Sequence, residues 1–174
     1  MLRERVISSA LWIIFLWLVI FIFPNWLFAM VTTAIVGLGL YEFFSMVARK
    51  EILVYRYFGT IIGSLIPITT YFRYNPTEEI EFMLITAACL AVFLLQFTRR
   101  QTEHAVIGIA TTIFAIFYIG WFFSFMIKLK VAPPRGLDGS LLVLYLLLVT
   151  KSGDTAAYFI GTAFGKHQLI PRIS

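Results

Sequence analysis

Long apolar stretches alternate with short polar segments along the whole chain. Six stretches can be delimited, over residues 6–23, 26–47, 55–72, 80–97 and 105–127 and from residue 140 onward. A helix needs about 20 apolar residues to cross the ~30 Å hydrocarbon layer of a bilayer. The pattern therefore predicts an all-α fold, a polytopic transmembrane helix bundle of about six spans.

Prolines and glycines mark where these stretches are separated. Pro24 ends the first stretch, and the link to the second is so short that we expect a tight antiparallel hairpin. Residues 132–139 contain two prolines and two glycines and predict a loop. We divide the chain into residues 1–131, with five N-terminal transmembrane helices, and residues 132–174. The second part holds the loop, the sixth helix and the start of a motif region. The sequence stops at Ser174, directly after Pro171-Arg172-Ile173 and without a polar C-terminal segment. We therefore expect this chain to be part of a longer protein.

Composition supports a membrane setting and excludes other classes. Hydrophobic residues make up 60% of the 174 residues and charged residues 13%, whereas soluble domains carry roughly 25%. The net charge of +5 comes from short clusters between apolar stretches, with no basic stripe, which argues against nucleic-acid binding. The single cysteine, Cys89, excludes a disulfide framework. Residues 21–26 offer no small-residue cleavage site, so the first stretch is a retained span rather than a signal peptide.

The distribution of lysine and arginine predicts the orientation. One side of the predicted bundle carries seven of them and the other side four, among them Lys128 and Lys130, which count against the assignment. The excess favours an N-terminus in the cytoplasm, in a multi-pass protein of the cell inner membrane. The sixth span then descends toward the cytoplasm.

The sixth span carries the chain's candidate chemistry. Lys151, Asp154, Tyr158, Gly161 and Gly165 follow one another at spacings of three and four, so they line one helical face. At 1.5 Å per residue, Asp154 lies roughly 20 Å below the outer interface, inside the hydrocarbon region or close to its cytoplasmic edge. An ionisable group there costs several kcal/mol unless it is paired or faces water.

Two interpretations of this face remain open. In the structural one, Lys151 pairs with Asp154 and the glycines pack against another helix. In the functional one, a polar cavity opens to the cytoplasm, Asp154 holds a cation and Gly153 allows a break in the helix. Residues 161–166 faintly suggest a phosphate loop, but the spacing is one residue short and His167 replaces the required Ser or Thr.

Polar residues elsewhere carry less information. Gly59 and Gly63 predict helix packing, and His104 lies in a solvated loop. Glu42 is equally consistent with reaching the interface and with reaching the cavity.

Residues 154–174 closely resemble the motif region of the phosphatidate cytidylyltransferase (CDP-diacylglycerol synthase) family. That family has Asp-x-x-Ala-Tyr-x-x-Gly-x-x-x-Gly-Lys leading into a Ser-Pro-Lys-Lys-Thr-Trp-Glu-Gly block, and this chain reaches the Ser of that block. Residues 41–46 also look like the family's second span. The specific match covers about 21 residues, whereas the preceding spans agree mainly in number and hydropathy. The rest of the block and the C-terminal signature are absent, so we do not expect residues 1–174 alone to turn over substrate.

The resemblance implies that CTP and phosphatidate give CDP-diacylglycerol and pyrophosphate, with Mg²⁺ as cofactor. It also suggests a homodimer. It implies that Asp154, Lys151 and Lys166 are catalytic and that Asp154 is also the metal ligand. The implied substrate-binding residues are Tyr158, Gly161, Gly165, His167, Arg172 and Ser174. Two alternatives stay open. One is a transporter or channel subunit in which Asp154 and Lys151 form an intramembrane relay. The other is a related CTP-using enzyme acting on dolichol or archaeal ether lipids.

Overall fold

The computed structural model describes residues 2–72, 79–98 and 105–165, and they form six helices. These are α1 (Leu2–Phe21), α2 (Asn25–Ala48), α3 (Arg56–Phe72), α4 (Glu79–Phe97), α5 (Ala105–Val131) and α6 (Gly139–Phe164). Four of them, α2, α4, α5 and α6, are long and apolar enough to cross a membrane. The apolar part of α1 is shorter, and α3 has 17 residues with Pro67 inside it. The predicted all-α membrane fold is confirmed.

The helix ends follow the predicted stretches closely, with one correction. Pro24 stands immediately before α2 in an extended conformation (φ −65°, ψ 155°), and Glu51 follows α2 with a φ of +61°. The fifth helix continues to Val131 rather than ending at Ile127. Lys128 and Lys130 therefore lie in the last turn of α5, not in the loop to which the orientation count assigned them.

The centre of the bundle is formed by α2, α3 and α5, and glycines allow these helices to approach closely. A Cβ atom on Gly59 would lie 2.5 Å from the Phe44 ring, and one on Gly63 would collide with Leu40. A Cβ atom on Gly120 would lie 2.9 Å from the carbonyl oxygen of Gly63. Larger residues at these positions would separate the helices. The prediction that Gly59 and Gly63 serve helix packing is confirmed.

The middle of α5 contains one π-helical turn, Ile116–Trp121, between two α-helical segments. The turn places Gly120 against α3 and aims the Trp121 indole at Glu81, whose Oε2 lies 3.1 Å from the indole Nε1. A π turn accommodates one extra residue in a helix. The sequence pattern gives no sign of it, because every residue of the turn is apolar or glycine.

The outer helices α1 and α6 contact the bundle near one end only. Val19 and Ile20 of α1 share a core cluster with Phe28, Ile127 and Val143. Residues 7–15 of α1 are exposed, and so are residues 148–165 of α6. The predicted hairpin of α1 and α2 is therefore in contact near the link and not along its length.

Candidate functional site

The start of α6 is firmly anchored to the bundle. The Asp138 carboxylate accepts a hydrogen bond from the Ser140 backbone N–H at 2.7 Å and caps the helix. Lys130 donates to the Ser140 hydroxyl and to the Ile20 carbonyl, which ties together α1, α5 and α6. Val143 is fully buried one turn further along. These contacts fix the direction in which the rest of α6 projects.

The predicted polar face lies on the projecting half of this helix. Lys151, Asp154, Tyr158 and Gly161 follow one another along α6, and all four are exposed, Tyr158 to 67%. The helix runs through Gly153 without interruption, so the predicted option of a break there is wrong. Asp154 lies roughly 22 Å along the axis from Gly139 at 1.5 Å per residue.

The contacts that would make this face purely structural are not formed within residues 2–72, 79–98 and 105–165. No oxygen of Asp154 lies within 4.0 Å of the Lys151 ammonium there. A Cβ atom on Gly161 would meet nothing within 4 Å, so this glycine serves no helix contact in that part of the chain. Gly165 ends the helix, and its N–H donates to the Gly161 carbonyl at 3.0 Å. Among the residues that the structure describes, this face is exposed along its length.

Several predicted residues fall elsewhere. Lys166, His167, Arg172 and Ser174 lie outside the described residues, as does His104. Glu42 is exposed on α2. The structure thus brings together the first part of the predicted site, from Lys151 to Gly165, on a single helix.

A magnesium ion fits this face only in one mode of binding. The described residues contain no group of three or more His, Cys, Asp or Glu side chains that can hold a metal ion, and Asp154 is the carboxylate of this face. Mg²⁺ commonly uses one or two carboxylates and takes its other oxygens from substrate phosphates and water. The donor set fits an ion delivered with a triphosphate and does not fit an ion held by a cage of protein ligands.

Sequence reasoning missed a polar cluster that joins α3, α4 and α5. Glu81, near the start of the predicted stretch of residues 80–97, is 8% exposed in the first turn of α4. Its carboxylate accepts from Lys128 Nζ at 2.7 Å and from Trp121, and its Oε1 lies 2.9 Å from the Thr70 hydroxyl. The available signal was a glutamate at the edge of one apolar stretch and a lysine at the end of another. The distance between Glu81 and Lys128 along the sequence gives no indication that the two side chains form an ion pair.

These features define a multi-pass membrane protein whose projecting helix carries an acid, a base and a phenol on one side. Comparison with known proteins gives the family. Residues 3–174 match the cytidylyltransferase family model, and the chain belongs to that family.

Two curated relatives cover nearly all of the chain. Phosphatidate cytidylyltransferase of Haemophilus influenzae is 26% identical over 190 residues, with 100% of this chain and 65% of the relative covered. The Bacillus subtilis enzyme of the same name is 24% identical over 174 residues, with 99% and 63% covered. The Escherichia coli protein YnbB is 31% identical over 110 residues, with 55% of this chain and 37% of the relative covered. The chain thus spans just under two thirds of the length of the first two. No solved structure matches it significantly.

Proposed function

We propose that the full protein is a CTP-dependent nucleotidyltransferase that converts phosphatidate and CTP into CDP-diacylglycerol and pyrophosphate. The observation that carries this proposal is the face of α6 bearing Lys151, Asp154 and Tyr158, in a chain whose residues 3–174 match the cytidylyltransferase family. Two relatives named phosphatidate cytidylyltransferase support this lipid acceptor over dolichol or ether lipids. Nothing in these matches supports a transporter subunit.

The proposed reaction is an in-line displacement at phosphorus. A phosphate oxygen of phosphatidate forms a bond to the α-phosphorus of CTP. The bond from that phosphorus to the oxygen bridging the β-phosphorus breaks, and pyrophosphate leaves with the electron pair. Bringing two anionic phosphates together is the main obstacle, so positive charge and positioning dominate catalysis.

Each polar residue of the face has a role in this proposal. Asp154 holds Mg²⁺, which supplies charge neutralisation for the phosphates when it is bound. Lys151 keeps Asp154 ionised or contacts the lipid headgroup. Tyr158 donates a hydrogen bond to substrate, and Gly161 and Gly165 leave room for substrate beside the backbone.

The remaining residues of the proposed site follow the helix. Lys166 and Arg172 neutralise the triphosphate or the lipid phosphate, and the guanidinium of Arg172 suits a two-point contact. His167 and Ser174 complete the contacts to substrate. All four side chains can donate hydrogen bonds to the phosphate oxygens of the two substrates.

The surroundings of the face follow from the cost of charge in lipid. Exposing the charges of Lys151 and Asp154 to hydrocarbon would cost several kcal/mol. Protein or water therefore covers them in the working enzyme. We propose that the protein lies in the cell inner membrane with its N-terminus and this face toward the cytoplasm, where CTP is available. The excess of lysine and arginine on that side supports this orientation. Homodimerisation remains a prediction from the family resemblance.

The test is Asp154→Asn in the full-length protein, assayed for magnesium-dependent formation of CDP-diacylglycerol in membrane vesicles. We expect activity to fall at least a hundredfold while membrane insertion is unchanged. Asp138→Asn is the matched control, because asparagine caps a helix about as well as aspartate and the change is chemically the same. Activity retained in Asp154→Asn would remove this carboxylate from the metal site. Equal losses in both variants would assign the effect to folding of α6.

A further inference from the structure

The first residue of α3 is Arg56, a charged side chain that lies between two tyrosines. The Arg56 guanidinium carbon lies 3.8 Å from the centre of the Tyr41 ring and 5.7 Å from that of Tyr57. The first distance places the guanidinium group over the Tyr41 ring, a favourable cation–π contact. This contact restricts the position of the guanidinium group beside the ring.

Arg56 has no counter-charge within the part of the chain that the structure describes. No carboxylate oxygen there lies within 4.0 Å of it, although Glu42 and Glu51 are close in sequence. Its Nε is buried and has no hydrogen-bond partner. No hydrogen bond among the described residues uses the two terminal nitrogens as donors, and Arg56 as a whole is partly exposed. A charge at the end of an apolar helix is costly when it is left without an anion, so this arrangement favours an external one.

The exposed residues around Arg56 indicate where that anion comes from. Tyr41 is 46% exposed and Tyr57 73% exposed, and Ile61, one turn further into α3, is 62% exposed. Tyrosines gather at the level of the lipid headgroups, while exposed isoleucine is typical of the hydrocarbon layer. Arg56 therefore lies at the depth of the lipid phosphates. Its fork of terminal N–H groups matches two oxygens of one phosphate.

We propose that Arg56, stacked on Tyr41, binds the phosphate group of an anionic membrane lipid at the end of the bundle where α2 ends and α3 begins. The site is separate from the α6 face and does not depend on the proposed reaction. The same chemistry would also accept a free phosphate or a nucleotide phosphate, so the experiment has to separate the two sources.

The experiment is native mass spectrometry of the full chain released from detergent micelles, with lipid bound at increasing concentration. The probe is dioleoyl phosphatidylglycerol, whose phosphodiester is not the acceptor of the proposed reaction, and dioleoylglycerol is the lipid without phosphate. Inorganic phosphate and CTP serve as soluble competitors. We expect phosphatidylglycerol to bind, dioleoylglycerol not to bind, and neither soluble anion to displace the lipid at millimolar concentration.

Variants then test the residues. Arg56→Gln should weaken phosphatidylglycerol binding roughly tenfold or more, the scale of a lost hydrogen bond from a charged group. Arg49→Gln is the matched control, because it removes the same charge from an exposed position at the same end of the bundle, and should change binding less than twofold. Tyr41→Leu should weaken binding severalfold, whereas Tyr41→Phe keeps the ring and the affinity.

Three outcomes would overturn the proposal. Equal weakening in Arg56→Gln and Arg49→Gln would mean that the lipid responds to general surface charge. Displacement by inorganic phosphate or CTP would assign the site to a soluble anion. If Arg56→Gln does not fold, the lipid affinities of Arg56→Lys and Tyr41→Leu test the proposal instead. Unchanged affinity in both of these would show that neither the fork nor the stack binds lipid.

Discussion

The Glu81 cluster provides a quantitative test of how the bundle is held together. Lys128→Met removes the ammonium that lies 2.7 Å from Glu81 and leaves its carboxylate with two neutral groups, Trp121 and Thr70. The methionine side chain is similar in length, so the change removes charge while it preserves most of the packing. Any loss of stability therefore reports chiefly on the uncompensated carboxylate.

The exposure of the two partners sets the expected magnitude. Breaking a fully buried ion pair by removing one partner costs about 3–5 kcal/mol, whereas exposed pairs contribute about 0–1 kcal/mol. The Glu81 side chain is 10% exposed and that of Lys128 29%, so water partly replaces the lost ammonium. We expect Lys128→Met to lower the free energy of unfolding by about 2 kcal/mol.

The reverse change should cost less. In Glu81→Gln the amide oxygen still accepts from Trp121, and the partly exposed Lys128 can extend toward water along its apolar stem. We expect a loss of about 1 kcal/mol for Glu81→Gln. The double variant should lose far less than the two single losses together, because no buried charge then remains.

The measurement is reversible unfolding in mixed micelles of increasing SDS content, followed by far-UV circular dichroism, for the wild type, both single variants and the double variant. Lys50→Met, at an exposed position after α2, is the control and should change stability by less than about 0.5 kcal/mol. Additive losses in the double variant, within about 0.3 kcal/mol, would refute the conclusion that the pair is energetically coupled.

Three further changes test other contacts. Gly120→Val should destabilise the bundle by about 1–3 kcal/mol, because its Cβ would lie 2.9 Å from the Gly63 carbonyl oxygen, and thermal unfolding in detergent would show a lowered midpoint. Asp138→Ala should cost about 1 kcal/mol in the same assay through loss of the α6 cap, while Asp138→Asn should cost little. Tyr55→Phe should cost about 1 kcal/mol, since the Tyr55 hydroxyl lies 2.6 Å from the Gln96 side-chain oxygen; an unchanged midpoint would mean that water replaces this bond.

The helices were predictable because the apolar stretches are separated by short polar segments and four of them reach the length that a bilayer imposes. Residues that end helices, such as Pro24 and the prolines and glycines near residues 132–138, located the helix ends to within a few residues. The end of α5 was misplaced because Lys128 and Lys130 look like loop residues when each is considered alone. Pairing across the bundle, to Glu81 for the first and to backbone and hydroxyl groups for the second, allows them to stay helical. Such long-range compensation leaves no local pattern.

The sequence predicted which residues of the candidate site share one side of α6. It did not predict which other residues surround them. Helical spacing alone placed Lys151, Asp154 and Tyr158 on one side of α6, and the continuous helix keeps them there. The spacing does not reveal what faces them, since that depends on residues far away in the sequence. The Arg56 stack was hidden for the same reason, because Tyr41 and Arg56 belong to different helices.

The π turn of α5 gives this helix a tolerance to changes in length. Deleting one residue from an α-helix rotates everything after it by about 100°. A deletion within Ile116–Trp121 can instead convert the π-helical turn into an α-helical one. Phe122–Val131 then keeps the same residues facing the bundle and the same residues facing away from it. Related chains that differ in length by one residue at this turn can therefore preserve the geometry of the entire second half of the helix.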